Sequence, residues 1–257
     1  MCTVTLRCGG GSLLLTMNRD ELFDRAPEEA PRIIRGEPGR PSWVAPFDSA
    51  SGGTWIGVNE RGVAACVLNG YTPEDEALRG DPAVPSRGSI IPRILEEQNG
   101  HGPARVRGTL DFSAYPSFTL LVATVEGGEI VRWRHGGALT RETVGTGWTF
   151  LTSSSWREPE VVAGRQRAYE AWRAEGSPST AGIPALHLLA PPGDEGNAPF
   201  MTRPLGATRS ISMVSVDAGQ NAARLTWWPR SGAAPIDAEH PGAVMDLPLI
   251  APHAGAA

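Results

Sequence analysis

Short runs of apolar or alternating residues recur along this chain in pairs, most of them closed by a glycine-bearing turn, and such a sequence folds most simply into antiparallel β-hairpins. Residues 3–7 (TVTLR) and 12–17 (SLLLTM) flank Cys8-Gly9-Gly10-Gly11, and residues 54–59 (TWIGVN) and 63–68 (VAACVL) flank Glu60-Arg61-Gly62. Residues 118–125 and 129–134 meet around Gly127-Gly128, residues 210–216 pair with 224–228, and a further strand is expected through 148–152. Helical spacing intervenes in two places. Residues 87–98 (RGSIIPRILEEQ) suit a helix only if Pro92 lies in its first turn, and residues 158–175 place Val161, Ala168 and Trp172 near one face. Residues 183–189 read as a second helical piece beside that helix. Hairpins with helices inserted in this way imply α+β layers rather than a doubly wound parallel sheet. Residues 24–50, rich in Pro, Arg and Glu without periodicity, read as a long surface excursion. Pro- and Ala-rich sequence from about residue 231 reads as a fading tail.

The 257 residues show no composition break and no internal repeat, so one domain over 1–257 is expected, with 40% hydrophobic residues enough for a substantial core. The net charge is -5 and the arginines are scattered, which excludes a polyanion-binding face and makes nucleic acid an unexpected partner. No apolar run approaches the roughly 18 residues of a membrane span, and no cleavable leader pattern opens the chain, so a cytoplasmic protein without a membrane partner is expected. Cys2, Cys8 and Cys66 lack metal-type spacing and the five histidines form no H-x-x-x-H pair, so no metal is expected.

Cys2 stands where removal of Met1 would make it the first residue, placing a thiol and a free α-amine on one carbon. The amine titrates at about 7.7–8.0 and the thiol at about 8.5, so near neutral pH the amine can serve as the base for its own side chain. A nucleophile of this kind needs no Ser-His-Asp arrangement. A cysteine at position 2 is by itself commonplace, and the case for chemistry depends on what surrounds it.

Directly after the second run come Asn18-Arg19-Asp20-Glu21. Four such residues suit a solvated turn, but a hairpin returns the end of its second strand to the start of its first, bringing residues 18–20 beside Cys2. A carboxylate there can hold the α-amine, and a guanidinium can lower the thiol pKa and bind a substrate anion. Asn69, at the end of residues 67–71 (VLNGY), could donate its amide to an oxyanion or simply form an Asn-Gly turn. Gly52-Gly53-Thr54-Trp55 reads equally as a flexible entry to a strand whose tryptophan packs in the core.

In combination, Met1-Cys2, Asn18-Arg19-Asp20-Glu21, residues 52–59 (GGTWIGVN) with Gly62 and Asn69, Ser86-Arg87-Gly88 and Thr208-Arg209-Ser210 resemble the NRDE family, also called the transport and Golgi organisation protein family. The family looks related to the N-terminal nucleophile hydrolases of the choloylglycine hydrolase and penicillin V acylase type. The resemblance implies a four-layer αββα sandwich. It further implies Cys2 as nucleophile, Asp20 orienting the α-amine, Asn69 contributing to an oxyanion hole, and Arg209 as the late arginine supporting the cysteine. Arg19 joins this catalytic set, and Asn18, Ser153 and Trp55 are expected on the substrate side. Two departures are visible: Met17 stands where the acylases carry an arginine three residues before the aspartate, and Ser153 stands where they carry an asparagine.

The implied activity is hydrolysis or acyl transfer on a linear amide of a small molecule through a Cys2 acyl-enzyme, without a cofactor. The alternative is a non-catalytic carrier of haem or an acyl lipid, with His187 in its apolar setting Leu186-His187-Leu188-Leu189 as a haem ligand. A degenerate hydrolase fold retained as a scaffold is the third reading. The oligomeric state is not encoded in any recognisable pattern.

Overall fold

In a computed structural model of the protein, residues 2–78, 80–97, 111–232 and 234–250 are described. β1 (Cys2–Gly9) and β2 (Ser12–Leu22) form the expected hairpin, in a register that sets Val4 against Met17 and Leu6 against Leu15. β3 (Glu28–Ile34) and β4 (Trp43–Asp48) follow, then β5 (Ile56–Asn59) and β6 (Ala64–Asn69).

The segment expected to be a surface excursion therefore contributes two strands, and all six residues of β4 are buried. Its prolines sit where pairing lapses: Pro31 within the register shift between Glu29 and Arg32, and Pro46 beyond the two residues that pair with β5. Proline marked the segment as loop only because sequence does not reveal which positions the ladder leaves unpaired.

Residues 87–89 form a single 3-10 turn leading into α1 (Ile90–Leu95), shorter than the spacing suggested, with Pro92 in its first turn. The last residue of the expected 87–98 helix lies outside the described residues. β7 (Phe118–Thr124) and β8 (Gly127–Trp133) form the expected hairpin, and β9 (Leu139–Val144) adds a strand that its mostly polar sequence did not announce. β10 (Gly147–Ser153) and α2 (Glu158–Ala174) match their expected positions. β11 (Ser179–Thr180) and β12 (Ile183–Pro184) make a small ribbon, and only residues 185–188 are helical, as a 3-10 turn, because Pro184 cannot extend a helix through its own position. β13 (Thr202–Arg203) and β14 (Gly206–Asp217) precede β15 (Ala222–Pro229). The expected tail contains β16 (Ala243–Pro248), which pairs with β15 from Trp227↔Ala243 to Ala222↔Pro248.

Among the described residues these strands form two seven-stranded antiparallel sheets. One has the order β10-β1-β2-β14-β15-β16, with β13 beside β14, and the other runs β3 through β9 in sequence order. Alternation along β1 and β2 sends Val4, Leu6, Leu15 and Met17, all fully buried, toward Val44, Ile56, Val58, Ala64 and Leu121 of the second sheet. Full burial of each such side chain contributes about 1.5–3 kcal/mol. α1 packs Ile90, Ile91, Ile94 and Leu95 on the outer face of the second sheet. α2 covers the outer face of the first, stacking Tyr169 on Phe150 at 4.7 Å and setting Trp172 edge-on to Trp148 at 4.8 Å. The result is a four-layer αββα sandwich, as expected. No helix among the described residues is long and apolar enough to cross a membrane.

The other face of β1 and β2 is polar and buried against the helical layer. His187 is wholly buried, with Nδ1 at 2.6 Å from Asn18 Oδ1 and Nε2 at 2.8 Å from Thr5 Oγ1. Asn18 Nδ2 donates to the carbonyls of His187 and Pro199 at 2.9 and 2.8 Å, so its Oδ1 is an acceptor and His187 carries its proton on Nδ1. Asn18 thus locks the 185–188 turn to the sheet. Both ring nitrogens of His187 are taken and the ring is sealed, so it offers no lone pair to a haem iron.

Burial draws the His187 pKa down from 6.5 to about 3. The unfolded chain takes up this proton near pH 6.5 and the folded protein resists it until about pH 3, so stability is complete above pH 6.5 and declines as pH falls through that window. At roughly 1.4 kcal/mol per pH unit, about 2 kcal/mol is lost between pH 6.5 and 5 on this account. His187→Gln, which cannot titrate, should show an urea-unfolding stability flatter by that amount between pH 7 and 5. An unchanged slope would assign the acid sensitivity to other groups.

Candidate active site

The β1–β2 register sets Cys2 opposite Arg19, and β1–β10 sets Cys2 opposite Ser153, so the first strand's opening residue is flanked on both sides. Cys2 and Arg19 share the inner face of the first sheet, as a directly opposed pair must. Arg19 lies 4.5 Å over the ring of Trp55, which enters from just before β5. Its guanidinium reaches Glu28 at 3.2 Å, Glu21 at 3.6 Å and Asp48 at 3.9 Å. Those contacts tie Arg19 to residues of β2, β3 and β4. Burial pushes the Glu28 carboxyl up, and the facing donors of Arg19, Ser210 and Trp227 pull it back toward the charged form.

Cys2, Arg19, Asp20, Trp55 and Asn69 line one cleft of ≈ 310 Å³ at the end of the sandwich where β1 begins and β2 and β6 finish. Its far wall is the stretch Val84–Gly88. Gly53 and Gly88 make that wall possible: a Cβ on Gly53 would lie 2.6 Å from the Gly88 carbonyl carbon, and Thr54 N–H donates to Gly88 O at 3.1 Å. The two motif segments, residues 52–55 and 86–88, are thereby laid against each other. Arg87 closes the corner by donating to Ser117 O at 2.7 Å and Gly70 O at 3.3 Å.

Asn69-Gly70 is not a hairpin turn. Gly70 N–H donates to Ser117 O at 2.8 Å, and a Cβ there would sit 2.8 Å from the Ser117 carbonyl carbon, so the glycine serves close approach. This fixes the end of β6 and leaves the Asn69 side chain in the cleft, with no hydrogen-bond partner among the described residues. Ser153 Oγ and Trp55 Nε1 are buried and lack partners as well. Ser153 adjoins Cys2 in the sheet but is not part of the cleft lining.

Asp20 points into the helical layer, and the residue that meets it was not foreseen. Arg165 of α2 is completely buried and donates to Asp20 Oδ2 at 3.0 Å, Thr3 Oγ1 at 2.9 Å, the Cys2 carbonyl at 3.4 Å and the Asn197 carbonyl at 3.1 Å. Thr208 Oγ1 donates to the other Asp20 oxygen at 2.7 Å. Arg209, expected to support the cysteine, is not among the cleft-lining residues. A β-bulge between Thr208 and Ser210 displaces it, and its guanidinium binds the Leu22 carbonyl at 3.0 Å, away from the cleft. Arg165 was detectable in principle, since it falls four residues after Val161 and seven before Trp172 on the one buried face of α2.

Burial pushes the Cys2 thiol up from its ordinary value, as does the Asp20 carboxylate, while the Asp20 backbone N–H and Arg19 pull it down. Burial also raises Cys8 and Cys66.

The sequence profile described as Transport and Golgi organisation 2 matches residues 1–184. Among solved structures the chain is similar to a mutant of the conjugated bile acid hydrolase from Clostridium perfringens, at 13% identity over 99% of this chain and 100% of that one, with a TM-score of 0.50. It is also similar to penicillin V acylase from Agrobacterium tumefaciens, at 14% identity over 89% and 86% of the two chains and a TM-score of 0.47. A third is the N-acylethanolamine-hydrolyzing acid amidase ortholog of Caenorhabditis elegans, at 10% identity over 85% and 93%, with a TM-score of 0.48. No curated protein sequence matches. At such identities the likeness is one of fold.

Proposed function

Because this chain belongs to the Transport and Golgi organisation 2 family and has the N-terminal nucleophile hydrolase fold, we propose that it cleaves or transfers the acyl group of a small linear amide through Cys2. The observation that carries this is the placement of Cys2, opposite Arg19 in the central hairpin and lining an open cleft, with Asp20 held behind it by Arg165 and Thr208.

In the proposed reaction Met1 is removed and the α-amine of Cys2 takes the thiol proton. The sulfur attacks the acyl carbon, forming an S–C bond, and the negative charge moves to the carbonyl oxygen. Asn69, which lines the cleft, would donate to that oxygen. The C–N bond then breaks as the α-ammonium returns its proton to the departing amine. Water, or a second amine, attacks the thioester, breaks the S–C bond and restores the thiol. Asp20 stabilises the α-ammonium while it holds the proton, and Arg165 keeps Asp20 in place.

The test is intact mass after incubation with p-nitrophenyl acyl esters. Wild type should lack Met1 and gain one acyl group, mapped to Cys2, and Cys2→Ala should gain none. Equal acylation of the two proteins, or turnover by protein that retains Met1, would remove Cys2 from the role.

A further inference from the structure

The motif Ser86-Arg87-Gly88 has no part in the proposed reaction, yet its arginine is tied to the backbone beside Asn69. Asn69 is followed by Gly70, which close approach to Ser117 requires and which, lacking a Cβ, is the freest kind of link in a backbone. The Asn69 side chain therefore keeps its direction only if the peptide units on both sides of Gly70 are held. Gly70 N–H, in the Asn69–Gly70 peptide, donates to Ser117 O at 2.8 Å. Gly70 O, in the next peptide, accepts from Arg87 Nη2 at 3.3 Å, and Arg87 Nε donates to Ser117 O at 2.7 Å. One guanidinium fork thus grips both residues of this contact, and Ser117 O has both of its lone pairs taken.

The grip is itself anchored. Asp75, in the 3-10 turn Pro73–Leu78, accepts Ser117 N–H at 2.8 Å and the Ser117 hydroxyl at 2.9 Å through Oδ1. Its Oδ2 accepts Thr72 N–H at 3.1 Å and lies 3.7 Å from Arg87. Ser117 is buried, and its Oγ also takes the His135 N–H at 3.0 Å. One residue beyond Arg87, Gly88 is pressed against Gly53 and accepts from Thr54 N–H, beside Trp55. The motif thus braces the segment entering Trp55 through its backbone and the strand ending at Asn69 through its arginine.

We propose that Arg87 is a positioning residue for the oxyanion donor: it fixes the backbone that carries Asn69, and it acts on the reaction only through that amide. This rests on the acyl-transfer reading of Cys2 and gives the Ser86-Arg87-Gly88 motif its place in it. A lysine at 87 keeps a positive charge near Asp75 but presents one nitrogen where the fork presents two, so Gly70 and Ser117 are no longer held together in the same geometry. A displacement of about 1 Å at an oriented group costs on the order of 100-fold in rate. The effect is confined to steps in which charge develops on a carbonyl oxygen.

The test uses the full-length protein and two reagents whose products at Cys2 are mapped by peptide mass. With a p-nitrophenyl acyl ester the sulfur attacks a carbonyl carbon and an oxyanion forms. With methyl methanethiosulfonate it attacks sulfur, an S–S bond forms as methanesulfinate leaves, and no oxyanion arises. Arg87→Lys and Arg87→Gln should be acylated about 10- to 100-fold more slowly than wild type while their methanethiosulfonate rates stay unchanged. Asn69→Ala should lose about 100-fold or more in acylation. Arg87→Lys/Asn69→Ala should be no slower than Asn69→Ala, since Arg87 has no other route to the reaction. Acylation at the wild-type rate in both Arg87 variants overturns the inference, as does a double variant in which the two losses multiply. A parallel fall with both reagents also overturns it, by making Arg87 a general support of the cleft. Wild type that reacts with the methanethiosulfonate and is never acylated removes the acyl-transfer reading and the inference with it.

Discussion

Cys2→Ala should lose at least about 10⁴-fold in turnover while keeping its fold and its cleft, because the substitution deletes the attacking atom and leaves every hydrogen bond around it in place. The backbone of residue 2 stays paired with Arg19 and Ser153, and its carbonyl still accepts from Thr152 Oγ1 at 3.0 Å. Circular dichroism and the urea midpoint should therefore change little. Cys66→Ala and Cys8→Ala are the internal controls, since both thiols are buried, raised by burial, and absent from the cleft lining. Loss of turnover in either control to the level of Cys2→Ala would show that a thiol is needed for structure rather than for attack.

Arg165→Met should be the most destabilising single change in the helical layer. It removes the partner of a carboxylate that has no exposure of its own, and stranding a buried charge in this way costs about 3–5 kcal/mol. The change would be read as a fall in the urea midpoint at constant slope. Turnover should fall beyond what the unfolded fraction explains, because Asp20 would drift and the Cys2 carbonyl would lose a donor. The double variant Arg165→Met/Asp20→Leu separates the two effects. It should regain much of the stability, since neither charge is stranded, and none of the activity. Recovery of activity in the double variant would reduce Arg165 and Asp20 to scaffolding.

The half of the site built by neighbours in sequence was legible, and the half built by distant packing was not. The approach of Asn18-Arg19-Asp20 to Cys2 followed from a hairpin of near-symmetric arms, whose register is set by its turn. Asn69 was legible as the end of a strand, although the reason for Gly70 beside it, close approach to Ser117, required the third dimension. Arg165 lies 145 residues from the carboxylate it binds, and although its spacing from Val161 and Trp172 puts it on the buried face of α2, nothing in the sequence names its partner. Asn18 stood in the right motif with the wrong orientation: strand alternation turns it away from Cys2, toward a histidine 169 residues on. Arg209 failed for a similar reason, since a single extra residue at a bulge re-aims everything beside it. β4 and β16 were hidden by composition, their prolines and short alternation being compatible with loop until a partner strand is supplied.

The pairing of β2 with β14 has a consequence for timing. Asp20 meets Thr208 across that pair and Arg165 across the layer, so the segment made first during synthesis stays chemically incomplete until the polypeptide has emerged beyond residue 208. Contacts of such sequence separation form slowly. A nascent or truncated chain would display the cysteine without the anchored carboxylate beside it, and the thiol would stay quiet. On the proposed mechanism, competence would thus come only with the completed fold.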